Sequence, residues 1–124
     1  MSYDCSCDYD APQFYNRTIR KARKPHKCEE CSGPILVGEK YEYVSGKWEW
    51  VDEFKTCMRC HDIRQWVKNN VPCLCWAHGN MMEDCREAVN EAYYRAPTET
   101  VGLRFGFLRR IAARDKLNKM RRAH

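Results

Sequence analysis

The chain has 124 residues, nine of them cysteine, and a formal net charge of +5. This length supports one compact unit with a modest apolar core, so the cysteines point to staples, either disulfides or metal-bound thiolates. No run approaches the ~18 apolar residues of a membrane span, and the opening MSYDCSCDYD has neither the basic nor the apolar region of a secretory signal. The expectation is a cytoplasmic protein with thiolates on metal and no membrane partner.

The net charge conceals an asymmetry. Residues 17 to 27 contain six basic residues and no acid, and residues 103 to 124 contain eight basic residues against Asp115 alone. Residues 28 to 99 hold thirteen acidic and eight basic residues, so basic arms flank an acidic body. Such arms suit a polyanion or an acidic partner, or else present solvated faces.

Residues 1 to 14 are polar and turn-rich, with Asp10-Ala11-Pro12 breaking any helix. Asn16 is placed to cap a short basic helix running to Lys24, where Pro25 stops it. The run Cys28-Glu29-Glu30-Cys31-Ser32-Gly33-Pro34 reads as a metal-binding knuckle, because Gly33 and Pro34 let the backbone turn its amides toward the sulfurs. Alternation over residues 38–44 and 47–51 predicts a β-hairpin with its turn at Ser45-Gly46. Tyr41, Tyr43, Trp48 and Trp50 would then share one sheet face, as core or as a platform for bases.

Cys57 and Cys60 form a second Cys-x-x-Cys pair, and Ile63, Trp66 and Val67 follow at helical spacing in a segment reaching Asn70. Four thiolates from Cys28, Cys31, Cys57 and Cys60 can close a tetrahedral Zn2+ site. A complete shell of four cysteines leaves no position for water, so it builds structure and does not catalyse. Knuckle, hairpin and helix in this order resemble a treble-clef zinc finger over residues 26–70, and the run Cys28-x-x-Cys31-Ser-Gly-Pro-Ile-Leu-Val-Gly-Glu resembles the opening of several such fingers, including the PARP type. The resemblance implies a small zinc-stapled α+β fold rather than an activity. Treble clefs also scaffold HNH-type nucleases, but these need histidines around the hairpin and helix. Neither predicted strand contains one, so no enzyme is expected.

Cys5-Ser6-Cys7 and Cys73-Leu74-Cys75 flank this segment, and a second zinc site formed by Cys5, Cys7, Cys73 and Cys75 is expected. It would tie the amino-terminal tail to the helical part, with His78 either a substitute ligand or an ordinary packed residue. On a predicted helix from Met81 to Tyr94, Met81, Cys85, Ala88, Val89 and Ala92 share a face, making Cys85 a buried thiol. Its acidic neighbours Glu83, Asp84, Glu87 and Glu91 argue against a nucleophile.

A last helix is expected from Thr98, with one stripe of Val101, Phe105, Leu108 and Ala112 beside another of Leu103, Phe107 and Ile111. Arg109, Arg110 and Arg114 would project outward, their planar forks suited to phosphate or carboxylate. The expected organisation is a tail and basic segment over 1–27, the finger over 26–70, and a helical part over 71–124, packed as one unit. No phosphate loop, nucleophile elbow or HExxH motif is present.

The stretches Ile19 to Cys28 and Val71 to Asn80 resemble short accessory proteins of tailed bacteriophages, most of them uncharacterised. That resemblance implies an infected bacterial cytoplasm and the binding, often the inhibition, of host nucleoprotein machinery such as a defence complex. Two expectations follow. In the first, the acidic body meets a host protein or nucleoprotein complex through Glu49, Asp52 and Glu53. In the second, the arms contact DNA or RNA through Arg20, Lys21, Arg109, Arg110 and Arg114.

Overall fold

A computed structural model describes Cys7 and residues 11–122. Its elements in chain order are β1 (Phe14–Lys21), β2 (His26–Lys27), β3 (Pro34–Ile35), β4 (Lys40–Lys47), β5 (Val51–Cys57), α1 (Met58–Asn70), α2 (Met81–Arg95) and α3 (Leu103–Arg122). β1, β4 and β5 form an antiparallel sheet in that order, and β2 pairs with β3 as a separate ribbon. This is a small α+β architecture in which the ribbon and three helices gather round a cysteine-rich core.

The basic segment from Asn16 is a strand, not the expected helix. Phe14, Tyr15, Thr18 and Ile19 favour extended backbone, and β4 offers an eight-residue partner from Phe14↔Lys47 to Lys21↔Lys40. Every residue of β1 is exposed. The hairpin also turns later than expected: Ser45 and Gly46 remain in β4, and the chain reverses at Trp48-Glu49-Trp50. Gly46 is required there for space, since a Cβ would lie 2.6 Å from the Trp48 ring that covers it. The four aromatics therefore do not share one face. Tyr41 is buried, whereas Trp50 sits at the tip with 74% of its surface exposed.

The register places Tyr15, Arg17 and Ile19 on the same side of the sheet as Gly46, Val44 and Glu42, and as Asp52, Phe54 and Thr56. Glu42, Val44 and Thr56 are buried. Glu42 receives two hydrogen bonds from Arg64 of α1, at 2.8 and 2.6 Å, and both side chains are almost wholly enclosed. Burial opposes ionisation of Glu42, but the Arg64 bonds and charge, with His61 and Arg17, hold its pKa below the usual carboxylate range.

Ile63 and Val67 of α1, Met81, Cys85 and Val89 of α2, and Leu103 and Phe107 of α3 complete the core. α3 begins at Leu103 rather than Thr98, because residues 98–102 form turns and Gly102 has φ +85°, outside the helical region. Of its two stripes, Leu103, Phe107 and Ile111 pack inward, while Val101, Phe105, Leu108 and Ala112 are exposed. Among the described residues no helix is long and apolar enough to cross a membrane.

Candidate metal centre

The sulfurs of Cys28, Cys31, Cys57 and Cys60 all lie within 4.8 Å of one another, so the group could hold a metal ion. Cys28 and Cys31 sit on the turn between β2 and β3, Cys57 ends β5, and Cys60 lies in the first turn of α1. Strand and helix join without a loop at Cys57, whose extended conformation (φ −64°, ψ 154°) aims the second pair at the first. Cys28, Cys57 and Cys60 are buried and Cys31 is half-buried. Cys28–Cys60 and Cys31–Cys57 sulfur distances are 3.9 and 3.7 Å. A regular tetrahedron of sulfurs about 2.3 Å from zinc has edges of about 3.8 Å, so the donor set fits that ion.

Backbone amides surround the sulfurs as the knuckle reading requires. Glu30 N–H and Cys57 N–H donate to Cys28 Sγ at 3.4 and 3.3 Å, and Gly33 N–H donates to Cys31 Sγ at 3.4 Å. The sharp turn itself is made by Ser32, at φ +60°, and not by Gly33. With no cation among them, the sulfurs cannot all ionise. Hydrogen bonds from Cys28, then Cys57 and Cys60, hold Cys31 far below the ordinary thiol range. Contacts with Cys28 and Cys31 push Cys57 and Cys60 well above it. All four would ionise together only around a compensating cation, and a divalent ion is of the charge that the group could hold.

Side chains from distant segments close the centre. Asn118 of α3 donates through Nδ2 to Cys31 Sγ at 3.3 Å and accepts from Arg59 Nε at 3.0 Å through Oδ1. Arg114 reaches Cys60 Sγ at 3.6 Å, and Arg59 also binds the carbonyl of Pro34 at 2.9 Å. On the opposite side Glu30, inside the knuckle, accepts from Gly79 N–H at 2.6 Å and Met81 N–H at 3.0 Å, capping α2. The centre thus fastens all three helices. None of these partners carries a local motif, and Asn118 and Arg114 lie in a stretch that reads simply as basic.

The second cysteine group is assembled only in part among the described residues. Cys7, Cys73 and Cys75 have sulfurs within 4.8 Å of one another, and Cys5 lies outside the described residues. Cys7 and Cys75 are paired as a disulfide across a Cα separation of 5.4 Å, an arrangement that stands beside the expected zinc-bound thiolates. Cys73 Sγ is 3.7 Å from Cys75 Sγ. His78 is not in this group; it stacks on Phe54 at 4.5 Å and bonds the Tyr15 hydroxyl at 2.8 Å. Burial pushes its pKa down to about 4. Cys85 is buried as expected, with a pKa pushed up to about 12, chiefly by burial.

The basic contact candidates separate. Arg20, over the Tyr43 ring at 3.7 Å, and Lys21 lie on exposed β1. Of the α3 arginines expected to project outward, Arg109 and Arg110 are exposed, Arg110 while lying over the Trp66 ring at 4.1 Å, and Arg114 is half-buried and engaged by Cys60 and Asp115. Packing of α3 against α1 draws in the Arg114 guanidinium. Glu49, Asp52 and Glu53 are exposed around the hairpin tip, with Glu53 accepting a hydrogen bond from Tyr43. Comparison of the chain with protein-family models, curated proteins and solved structures finds no match.

Proposed function

We propose that the four-cysteine centre holds a structural zinc ion in a treble-clef-like arrangement and that the protein is a non-catalytic module binding single-stranded nucleic acid along β1. The observation carrying this reading is the wholly exposed strand bearing Arg17, Arg20 and Lys21, beside a metal centre whose sulfurs complete their own shell. β1 is an edge strand, with Arg17 and Lys21 on one face of the sheet and Arg20 on the other, so cations flank its free edge on both sides, where a phosphodiester backbone can lie along it. Arg23 and Lys24 add two more cations just past its end.

The test is binding of labelled oligonucleotides to the zinc-loaded protein across a salt series. Affinity should fall with a log–log slope of about −0.7 per phosphate neutralised on a single strand. Arg20→Glu with Lys21→Glu should flatten that slope, while Arg110→Glu should leave it unchanged and lower stability instead.

Inhibition of a host nucleoprotein complex through a protein contact is the second reading. It is favoured by Trp50 and Val51, exposed at the hairpin tip and flanked by Glu49, Asp52 and Glu53. An exposed Trp ringed by charges has the composition of an interface hot spot. Capture of a protein complex from bacterial lysate that survives nuclease treatment and is lost in Trp50→Ala selects this reading. Capture abolished by nuclease selects the first.

A further inference from the structure

A second cleft opens away from the cysteine centre, between the helix-facing side of the sheet and the segment Trp76–His78. Its volume is about 660 Å³, within the roughly 300–1,000 Å³ typical of small-molecule sites. Rings from Tyr15, Trp48, Phe54, Trp76 and His78 form most of its wall. They brace one another: Phe54 and His78 are parallel at 4.5 Å, Trp76 stands edge-on to His78 at 4.6 Å, and Trp48 is edge-on to both Tyr15 and Phe54 at 6.2 and 6.1 Å. The Tyr15–His78 hydrogen bond and the Arg64 guanidinium 4.5 Å from the Trp76 ring centre fix three of them further. Such a wall is ordered before a ligand arrives, which reduces the entropy lost on binding.

Two charged groups of opposite sign, Arg17 and Asp52, also line the cleft. Glu42 lies 3.9 Å from Arg17 but is already engaged by both nitrogens of Arg64, so the positive charge of Arg17 is only partly offset. An aliphatic ligand would use neither charge. An organic cation would meet Arg17, and a simple anion would meet Asp52 and gain nothing from the rings. A planar heteroaromatic group bearing amino donors and a phosphate uses all three features.

We infer that this cleft seats a nucleobase, stacked on the rings, with Asp52 accepting from its amino edge and Arg17 pairing with its phosphate. The chain of phosphates then runs along the β1 edge to Lys21, on the same face as Arg17, and to Arg20 on the other face, and both with Arg23 and Lys24 line a further basic cleft. This deepens the single-strand reading and rests on it. The base and its phosphate can belong to a strand or to a free nucleotide, and competition separates the two.

The experiment measures anisotropy of a fluorescent single-stranded 10-mer on the zinc-loaded full-length chain, with duplex of the same sequence and nucleoside 5′-monophosphates as competitors. Trp48→Ala should weaken the single strand by about tenfold or more, since one stacked base contributes on that order. Trp48→Phe should restore most of the loss, Arg17→Glu should reduce the salt slope by about one phosphate, and Asp52→Asn should change the ranking among oligonucleotides of different base composition. Unchanged affinity in both Trp48→Ala and Tyr15→Ala, with Arg20→Glu still damaging, overturns the base pocket and leaves the basic track standing. Absence of oligonucleotide binding together with monophosphate binding lost in Trp48→Ala overturns the single-strand reading and keeps the pocket as a nucleotide site. Binding of neither probe overturns both.

Discussion

Gly33 and Asn118 are fitted to each other across 85 positions of sequence: a Cβ on Gly33 would lie 2.6 Å from the Asn118 Cγ, Oδ1 and Nδ2 atoms. Asn118 cannot simply swing aside, because Cys31 Sγ and Arg59 hold both ends of its amide. Gly33→Ala should therefore destabilise the fold by about 1–3 kcal/mol through overpacking. Asn118→Ala should cost a similar ~1–3 kcal/mol by stranding its partners. Thermal melts of both single variants and the double variant check the coupling: the double should lose clearly less than the sum.

Metal removal should unfold the chain. Structural zinc contributes an apparent ~10–16 kcal/mol, comparable to or greater than the ~5–15 kcal/mol net stability of a typical domain. Elemental analysis should find one zinc in the Cys28/Cys31/Cys57/Cys60 centre, and Cys57→Ser should yield no soluble folded protein. Under reducing conditions Cys5, Cys7, Cys73 and Cys75 should take a second equivalent. Cys5→Ser should remove only that one and leave the circular dichroism signal of the helices intact.

The Glu42–Arg64 pair gives a third expectation. Glu42→Gln leaves a guanidinium buried without its counter-charge and should cost about 3–5 kcal/mol in denaturant unfolding. Glu42→Gln combined with Arg64→Met should recover part of that loss, since replacing both charges removes their desolvation as well. A double variant weaker than Glu42→Gln alone would contradict this account.

His78 makes stability depend on acidity in a defined window. Its pKa in the folded protein is about 4, against an ordinary 6.5, because burial opposes the imidazolium; Arg64 and Arg17 act in the same direction, and Glu42 in the other. Between those values the unfolded chain takes up a proton that the folded chain refuses. Stability should fall as pH drops from about 6.5 to about 4 and then level. His78→Phe should remove this component, so the melting temperature of the wild type should fall relative to that of the variant as pH drops from about 6.5 to about 4.

The cysteine centre was legible because its information is local: two residues between thiols place both on one turn, and the same spacing recurs where α1 begins. Residues 16–24 misled for the opposite reason. A plausible cap at Asn16 and a stop at Pro25 describe a helix, but pairing with β4 settles the segment as a strand, and that partner begins nineteen positions after Lys21. Ser45-Gly46 has turn composition, yet Gly46 accommodates a ring and stays in the strand. Glu30 capping α2, Arg64 on Glu42 and Asn118 on Cys31 join positions 22 to 87 residues apart. No periodicity or spacing rule reports such contacts. The aromatic cleft is of the same kind, gathered from β1, the hairpin turn, β5 and the segment before α2.

The bond from Asn118 to Cys31 also orders events during synthesis. A ribosome has delivered all four thiols once residue 60 has emerged, so an ion can be captured before α2 and α3 have left the tunnel to pack. The donor that completes the sulfur environment arrives only with residue 118. A nascent chain would thus pass through a stage in which the metal is loaded but Cys31 is open to solvent and oxidant. Docking of α3 then gives Cys31 its Asn118 donor and partly covers the sulfur.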